Sequence, residues 1–155
     1  MRKMDDLIPL SITPFVPGDA FDIEVRPEQA AVCDHPDFAD LLCDYLRDGA
    51  AYTARDGKRI VFCGGVYVTA PRTGRVWFLA CKQAREYWRE IYFHAADYLD
   101  AHFFDNTLEC IEATVQADWL VAQQFVERRL YFKLTGLLLG YGLDGSDHLL
   151  YRRMA

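Results

Sequence analysis

Between residues 51 and 81, three β-rich runs are joined by two tight-turn signatures, and no other stretch constrains the fold as strongly. Residues 51–53 and 60–69 flank Asp56-Gly57, a dipeptide suited to a hairpin because glycine takes a positive φ without steric cost. Pro71-Arg72-Thr73-Gly74 marks a second turn and leads into a strand over 75–81. Three strands linked this way form an antiparallel meander. The periodicity then changes: Trp88, Ile91, Tyr92, Ala95, Leu99 and Phe103 recur at helical spacing, which predicts a long amphipathic helix over 85–103. A helix of that length belongs across a sheet.

The flanking segments extend the pattern. Residues 7–15 read as a strand ended by Val16-Pro17-Gly18-Asp19, and 20–25 as a brief helical turn. Pro36 suits the first position of a helix whose apolar residues Phe38, Leu41, Leu42, Tyr45 and Leu46 keep helical spacing up to Gly49. After the long helix come a strand over 107–114 and a helix over 118–130, with Trp119, Ala122, Phe125 and Val126 on one face. Asp118 lies near the start of that helix, where a carboxylate favourably meets the dipole. Residues 131–141 and 148–152 are β-rich and surround the turn Leu143-Asp144-Gly145-Ser146. The resulting order is strand, two helices, three strands, helix, strand, helix, two strands. That is an α+β chain, and with no repeat, linker or composition shift it reads as a single domain over 1–155.

Composition narrows the function classes. A 155-residue chain that is 52% hydrophobic and 14% aromatic has enough apolar surface to offset the entropy of ordering, which excludes a disordered protein. Lys and Arg number 17 against 23 Asp and Glu, a net charge of -6, and no block of consecutive basic residues occurs. Nucleic acid and anionic membrane are therefore not the expected partners. No run nears the roughly 18 apolar residues of a membrane span, so a cytoplasmic protein is expected. Cys33, Cys43, Cys63, Cys81 and Cys110 form no CxxC pair and sit among apolar neighbours, as suits buried thiols in a reducing compartment, with no metal site. His35, His94, His102 and His148 lack metal-ligand spacing and read as packing or surface residues. Tyr87, Trp88, Tyr92, Phe93, Tyr98, Phe103 and Phe104 are too dense for one buried stripe, which points to a protein partner or a homodimer contact through the remainder.

The element order, the opening Ile12-Thr13-Pro14-Phe15-Val16-Pro17-Gly18-Asp19-Ala20, the hairpin at Asp56-Gly57 and the closing stretch 125–151 together resemble the Gcn5-related N-acetyltransferase (GNAT) family. The resemblance covers nearly the whole chain. It implies a mixed, mostly antiparallel sheet with helices on both faces and two central strands that splay to hold acetyl-CoA. It also implies transfer of the acetyl group to an amine of a small molecule or protein. Leu79, Ala80 and Cys81 match the end of the splayed strand, whose backbone pairs with the pantetheine arm in the family. The family's phosphate loop, Q/R-x-x-G-x-G/A, matches Gln83-Ala84-Arg85-Glu86-Tyr87-Trp88. Gln83 is kept, but Glu86 and Trp88 replace the glycine and the small residue that let backbone N–H groups approach phosphate. Lys82, Arg85 and Arg89 add positive charge there; the plainer reading has Arg85 and Arg89 as solvated charges offset by Glu86 and Glu90.

A second family pattern, N-x-x-A-x-x-L-Y-x-K-x-G-F, aligns its final aromatic with Phe132. Glu127 then stands at the tyrosine that protonates the leaving thiolate, Arg129 at the lysine and Tyr131 at the glycine. Glu127 serves as that acid only if burial raises its pKa. Glu112 interrupts an apolar strand and is the preferred general base, with Glu109 the rival. With both patterns altered, the chain also resembles acetyltransferase-like proteins of tailed bacteriophages, some associated with virion assembly, so the alternative is an inactive member of the fold acting as an interaction module.

Overall fold

The computed structural model describes residues 7–47, 51–105 and 107–155. In chain order the elements are β1 (Ser11–Pro14), α1 (Pro17–Asp22), α2 (Pro27–Cys33), α3 (Phe38–Leu46), β2 (Ala51–Asp56), β3 (Arg59–Ala70), β4 (Thr73–Ala80), α4 (Trp88–Phe104), β5 (Cys110–Gln116), α5 (Leu120–Gln124), β6 (Lys133–Leu138) and β7 (His148–Met154). A 3₁₀ turn over Ala84–Tyr87 precedes α4, and a π-helical turn over Phe125–Arg129 continues α5. All seven strands join one sheet in the order β1-β2-β3-β4-β5-β7-β6. Every neighbouring pair is antiparallel except β4 and β5. The α+β architecture read from the sequence is the observed one.

Both turns of the meander close where the sequence puts them. Asp56 pairs with Arg59 across Gly57, whose φ is 60°, and Ala70 pairs with Thr73 across Arg72, whose φ is 61°. The chain differs from expectation between β1 and β2, where three helices stand instead of two. The additional one, α2, starts with Pro27 at its first position, where the missing N–H costs nothing, yet no residue of α2 is buried. A helix with so weak an apolar stripe leaves little periodic signal. The expected helix end at Gly49 lies outside the described residues.

Two apolar cores hold the layers together. One joins α1 and α3 to β2, β3 and β4 through Phe15, Ala20, Phe38, Leu42, Val61, Trp77 and Leu79, and takes in Tyr87 and Ile91 at the start of α4. The other packs α4, α5 and the π turn against β5 and β7 through Leu99, Ile111, Ala113, Val115, Leu130, Phe132 and Tyr151. Asp19, only 4% exposed, is satisfied by the Val16 N–H, the Thr53 hydroxyl and the Arg55 guanidinium at 2.7–3.2 Å, so this buried carboxylate locks α1 onto β2. Cys63, Cys81 and Cys110 are buried, whereas Cys33 is half-buried and Cys43 exposed, so the expectation of five buried thiols is corrected at α3, where Cys43 turns outward. Among the described residues no helix is long and apolar enough to cross a membrane.

Candidate functional site: the gap between β4 and β5

β4 and β5 pair for four residues only, from Thr73↔Cys110 to Val76↔Ala113. Beyond that point β4 runs on to Ala80 and β5 to Gln116 without pairing, so the sheet opens into a wedge. Alternate residues of a strand present their N–H and C=O to opposite edges. The Cys81 N–H points back to β3, donating to Val61 O at 2.9 Å, while the Phe78 carbonyl and both backbone groups of Ala80 face the wedge.

These wedge-facing groups have partners from the segment before and within α2. The Gln29 carboxamide donates from Nε2 to Phe78 O at 2.7 Å and accepts the Ala80 N–H on Oε1 at 2.9 Å. The Arg26 N–H donates to Ala80 O at 3.0 Å, and the Lys82 N–H donates to Glu24 O at 2.8 Å. From the other side of the wedge, Gln116 Nε2 donates to Glu28 O at 2.6 Å. Arg26 lies over the Trp119 ring, 5.9 Å from its centroid, and 3.4 Å from Glu28. The start of α2 thus bridges both splayed strands.

Past Cys81 the chain turns into α4, bringing Gln83, Arg85 and Arg89 to the same end of the wedge as Leu79, Ala80 and Cys81. The turn is self-bonded: the Ala84 N–H donates to Cys81 O at 3.0 Å and the Glu86 N–H to Gln83 O at 2.9 Å. Tyr87 is buried and its hydroxyl donates to Asp56 at 2.6 Å, beside Arg59 at 3.3 Å. The Trp88 ring has the Arg89 and Arg129 guanidiniums 5.5 and 5.2 Å from its centroid and so links α4 to the π turn. Glu90 is not a surface charge opposing Arg85 and Arg89: it is 1% exposed and accepts the Ile8 N–H at 3.0 Å.

The two carboxylates expected to do chemistry are not brought together. Glu112 pairs in register with Arg75 and Arg152, and each of its oxygens is engaged, Oε1 by Arg75 at 3.1 Å and Oε2 by Arg152 at 2.8 Å. Arg75 also donates to the Tyr141 hydroxyl at 2.7 Å. Glu109 is an exposed partner of Arg72 at 2.9 Å. Glu127 sits on the π turn across the sheet from Glu112, next to the buried Tyr151, since successive residues of β7 face opposite sides. Burial, and then the neighbouring Glu127, push the Tyr151 hydroxyl above its usual pKa.

His148, which sequence spacing treats as a packing or surface residue, stands opposite Gln116 at the open end of the wedge. Ser146 Oγ donates to Asp144 at 2.6 Å and lies 3.2 Å from His148 Nε2. The arrangement is satisfied when Nε2 carries the ring proton and donates to Ser146. Nδ1 is then a bare lone pair, buried and with no protein partner. Burial lowers the His148 pKa, against the opposing charges of Asp144, Asp118 and Asp147. Its closest sequence cue is the turn Asp144-Gly145-Ser146, which carries no motif for a base. Among the described residues no group of three or more His, Cys, Asp or Glu side chains is arranged to hold a metal ion.

No family model matches the sequence, and no curated protein matches it. Solved structures do. A GNAT family acetyltransferase from Elizabethkingia anophelis with acetyl-CoA bound superposes with a TM-score of 0.67 at 14% identity, covering 94% of this chain and 98% of that one. A Bacillus subtilis acetyltransferase in complex with CoA gives 0.68 at 14% identity, with 95% and 99% covered. Ard1 from Thermoplasma volcanium gives 0.66 at 18% identity, with 94% and 97% covered. This chain therefore has the fold of the Gcn5-related N-acetyltransferases over nearly its full length.

Proposed function

We propose that this chain is an acyl-CoA-dependent N-acyltransferase that moves an acetyl group from acetyl-CoA to an amine of a small molecule or a protein. The observation that carries the reading is the wedge. Beyond Val76 and Ala113 the strands part, and β4 turns the Phe78 carbonyl and the Ala80 N–H and carbonyl toward the gap. An extended amide-bearing arm lying there gains the hydrogen bonds of an added strand.

Each candidate residue has a role in this reading. Leu79, Ala80 and Cys81 seat the arm; of the three, Ala80 has the N–H that faces the gap, and it meets the thioester oxygen as negative charge develops. Gln83, Arg85 and Arg89 receive the phosphates with side chains where the family uses glycine backbone. His148 Nδ1, buried in the free chain, takes the proton from the acceptor ammonium once the bound substrate exposes it. The freed nitrogen attacks the thioester carbon, a C–N bond forms, the C–S bond breaks, the nitrogen gives up its second proton to water, and the departing CoA thiolate is protonated by that water, so that the one net proton released is the one on His148. Glu112, held by two guanidiniums, positions Arg75 and Tyr141 at the closed end of the wedge, and Glu127, on the opposite face beside Tyr151, has no step in this reading. An acetyl-CoA donor suits the reducing, cytoplasmic setting expected from the unpaired cysteines.

A second reading is favoured by the turn before α4, whose Ala84 and Glu86 N–H groups are spent on Cys81 and Gln83. On that reading the chain keeps the fold without the chemistry and acts as an assembly or interaction module through exposed aromatics such as Phe104 and Trp88. Calorimetric titration with acetyl-CoA and with CoA separates the two. Micromolar binding that weakens in Arg85→Ala supports the transferase; no heat at millimolar ligand, in this chain and in a variant without the Gln29 carboxamide, removes it and leaves the interaction module.

A further inference from the structure

We infer that Gln29 is an internal competitor of the acyl-CoA arm, so that the cofactor cleft is closed by the chain itself until α2 moves away. The inference rests on the acyl-CoA reading above and concerns its regulation.

Three observations converge on it. The Gln29 carboxamide offers one donor and one acceptor, and it spends them on Phe78 O and the Ala80 N–H at 2.7 and 2.9 Å, as one peptide unit of a neighbouring strand would. The bonds beyond it toward Lys82, Arg26 N–H to Ala80 O and Lys82 N–H to Glu24 O, continue the same edge pairing, with Val25 bridging Cys81 in antiparallel fashion. The β4 edge is thereby filled from Phe78 to Lys82, the stretch that an acyl-pantetheine arm would occupy.

The second observation is the weak anchorage of the strap. None of the seven α2 residues is buried, and along the strap only Val25, Val32 and Cys33 lean on the core as partly buried side chains. An element held by hydrogen bonds at a cleft rather than by apolar contacts opens locally at low free-energy cost. The third is that the exchange is matched: the thioester oxygen accepts the Ala80 N–H and an amide N–H of the arm donates to Phe78 O, so neither state leaves a buried Ala80 N–H unpaired. Gln116 Nε2, which holds Glu28 O at 2.6 Å from the β5 side, is the latch that has to release with it.

The test is Gln29→Ala against the unchanged chain, with acetyl-CoA titration by calorimetry and amide hydrogen exchange at Ala80. With both carboxamide bonds gone, acetyl-CoA binds roughly 10- to 30-fold more tightly, the equivalent of two ordinary hydrogen bonds. In the absence of ligand the Ala80 amide exchanges faster, while β3 amides keep their protection, which reports that the variant is folded. Equal acetyl-CoA affinity in the two proteins overturns the competition and leaves the acyl-CoA reading intact. No binding to either protein at millimolar acetyl-CoA, with faster Ala80 exchange in the variant, overturns the acyl-CoA reading itself and makes Gln29 a permanent seal.

Discussion

Replacing Glu112 by glutamine tests whether this carboxylate holds the structure or performs chemistry. The Glu112 side chain is 7% exposed and lies between Arg75, 20% exposed, and Arg152, 51% exposed. Removing one partner of a buried ion pair costs about 3–5 kcal/mol because the remaining charge stays desolvated. Arg75 retains its bond to the Tyr141 hydroxyl and a little solvent, which puts the loss at the lower end, about 3 kcal/mol. Arg152 is half in water, so its share of the loss is small. For a chain of this size the loss corresponds to a fall in Tm of roughly 6–12 °C. Thermal melts by circular dichroism, with urea titration alongside, measure it. The double variant Arg75→Met with Glu112→Leu recovers most of the loss, since a packed apolar pair needs no counter-charge. A Glu112→Gln variant that melts within about 1 °C of the parent refutes the ion-pair argument. If such a variant also loses acetyl transfer, the carboxylate is a general base after all.

Two further outcomes follow from backbone geometry and from buried imidazoles. Tyr131 has a φ of 62° with its ring 70% exposed, so Tyr131→Gly relieves the left-handed strain and loses little packing. A gain of about 1 kcal/mol is expected in urea unfolding, and an equal gain from Tyr131→Ala would show that the ring and not the backbone is responsible. Burial lowers the pKa of His94, His102 and His148 below the usual 6.5, so the unfolded chain binds more protons than the folded one around that pH. Stability is therefore full above pH 6.5 and is lost as pH falls through the depressed values. The urea midpoint drops between pH 7.5 and pH 5.5, and a flat profile would count against the burial argument.

Much of the fold is legible because its strongest signals are local. Asp56-Gly57 and Pro71-Arg72 set their turns without help from distant residues, and the apolar spacing of α4 is long enough to stand out. α2 is silent for the opposite reason, since its residues meet a strand edge through Gln29 and not through an apolar stripe. The candidate site divides along the same line. Leu79, Ala80, Cys81, Gln83, Arg85 and Arg89 are near one another in sequence and stay so in space. Glu112 and Glu127 were paired in one mechanism by analogy, but period-two alternation on β5 and β7 sets them on opposite faces. The fixed pairing of Glu112 depends on Arg152, 40 residues away, and the bare nitrogen of His148 on how a loop folds back; neither leaves a local trace.

The arrangement of the two cores bears on how the chain is made. Every fully buried member of the first core lies between Phe15 and Ile91, and its strands are joined by short reversals. As the polypeptide leaves the ribosome, that half has all its buried apolar members in hand before β5 has been synthesised, with the partly buried Phe125 and Leu143 added later. The second core cannot close until Tyr151 is out, because β7 lies between β5 and β6. A nascent chain paused after α4 would thus hold a finished half-sheet with the edge of β4 bare, and Gln29, already present, is the group in reach to cover it. The same carboxamide that closes the cleft in the finished protein serves, during synthesis, as a guard against the wrong strand arriving first.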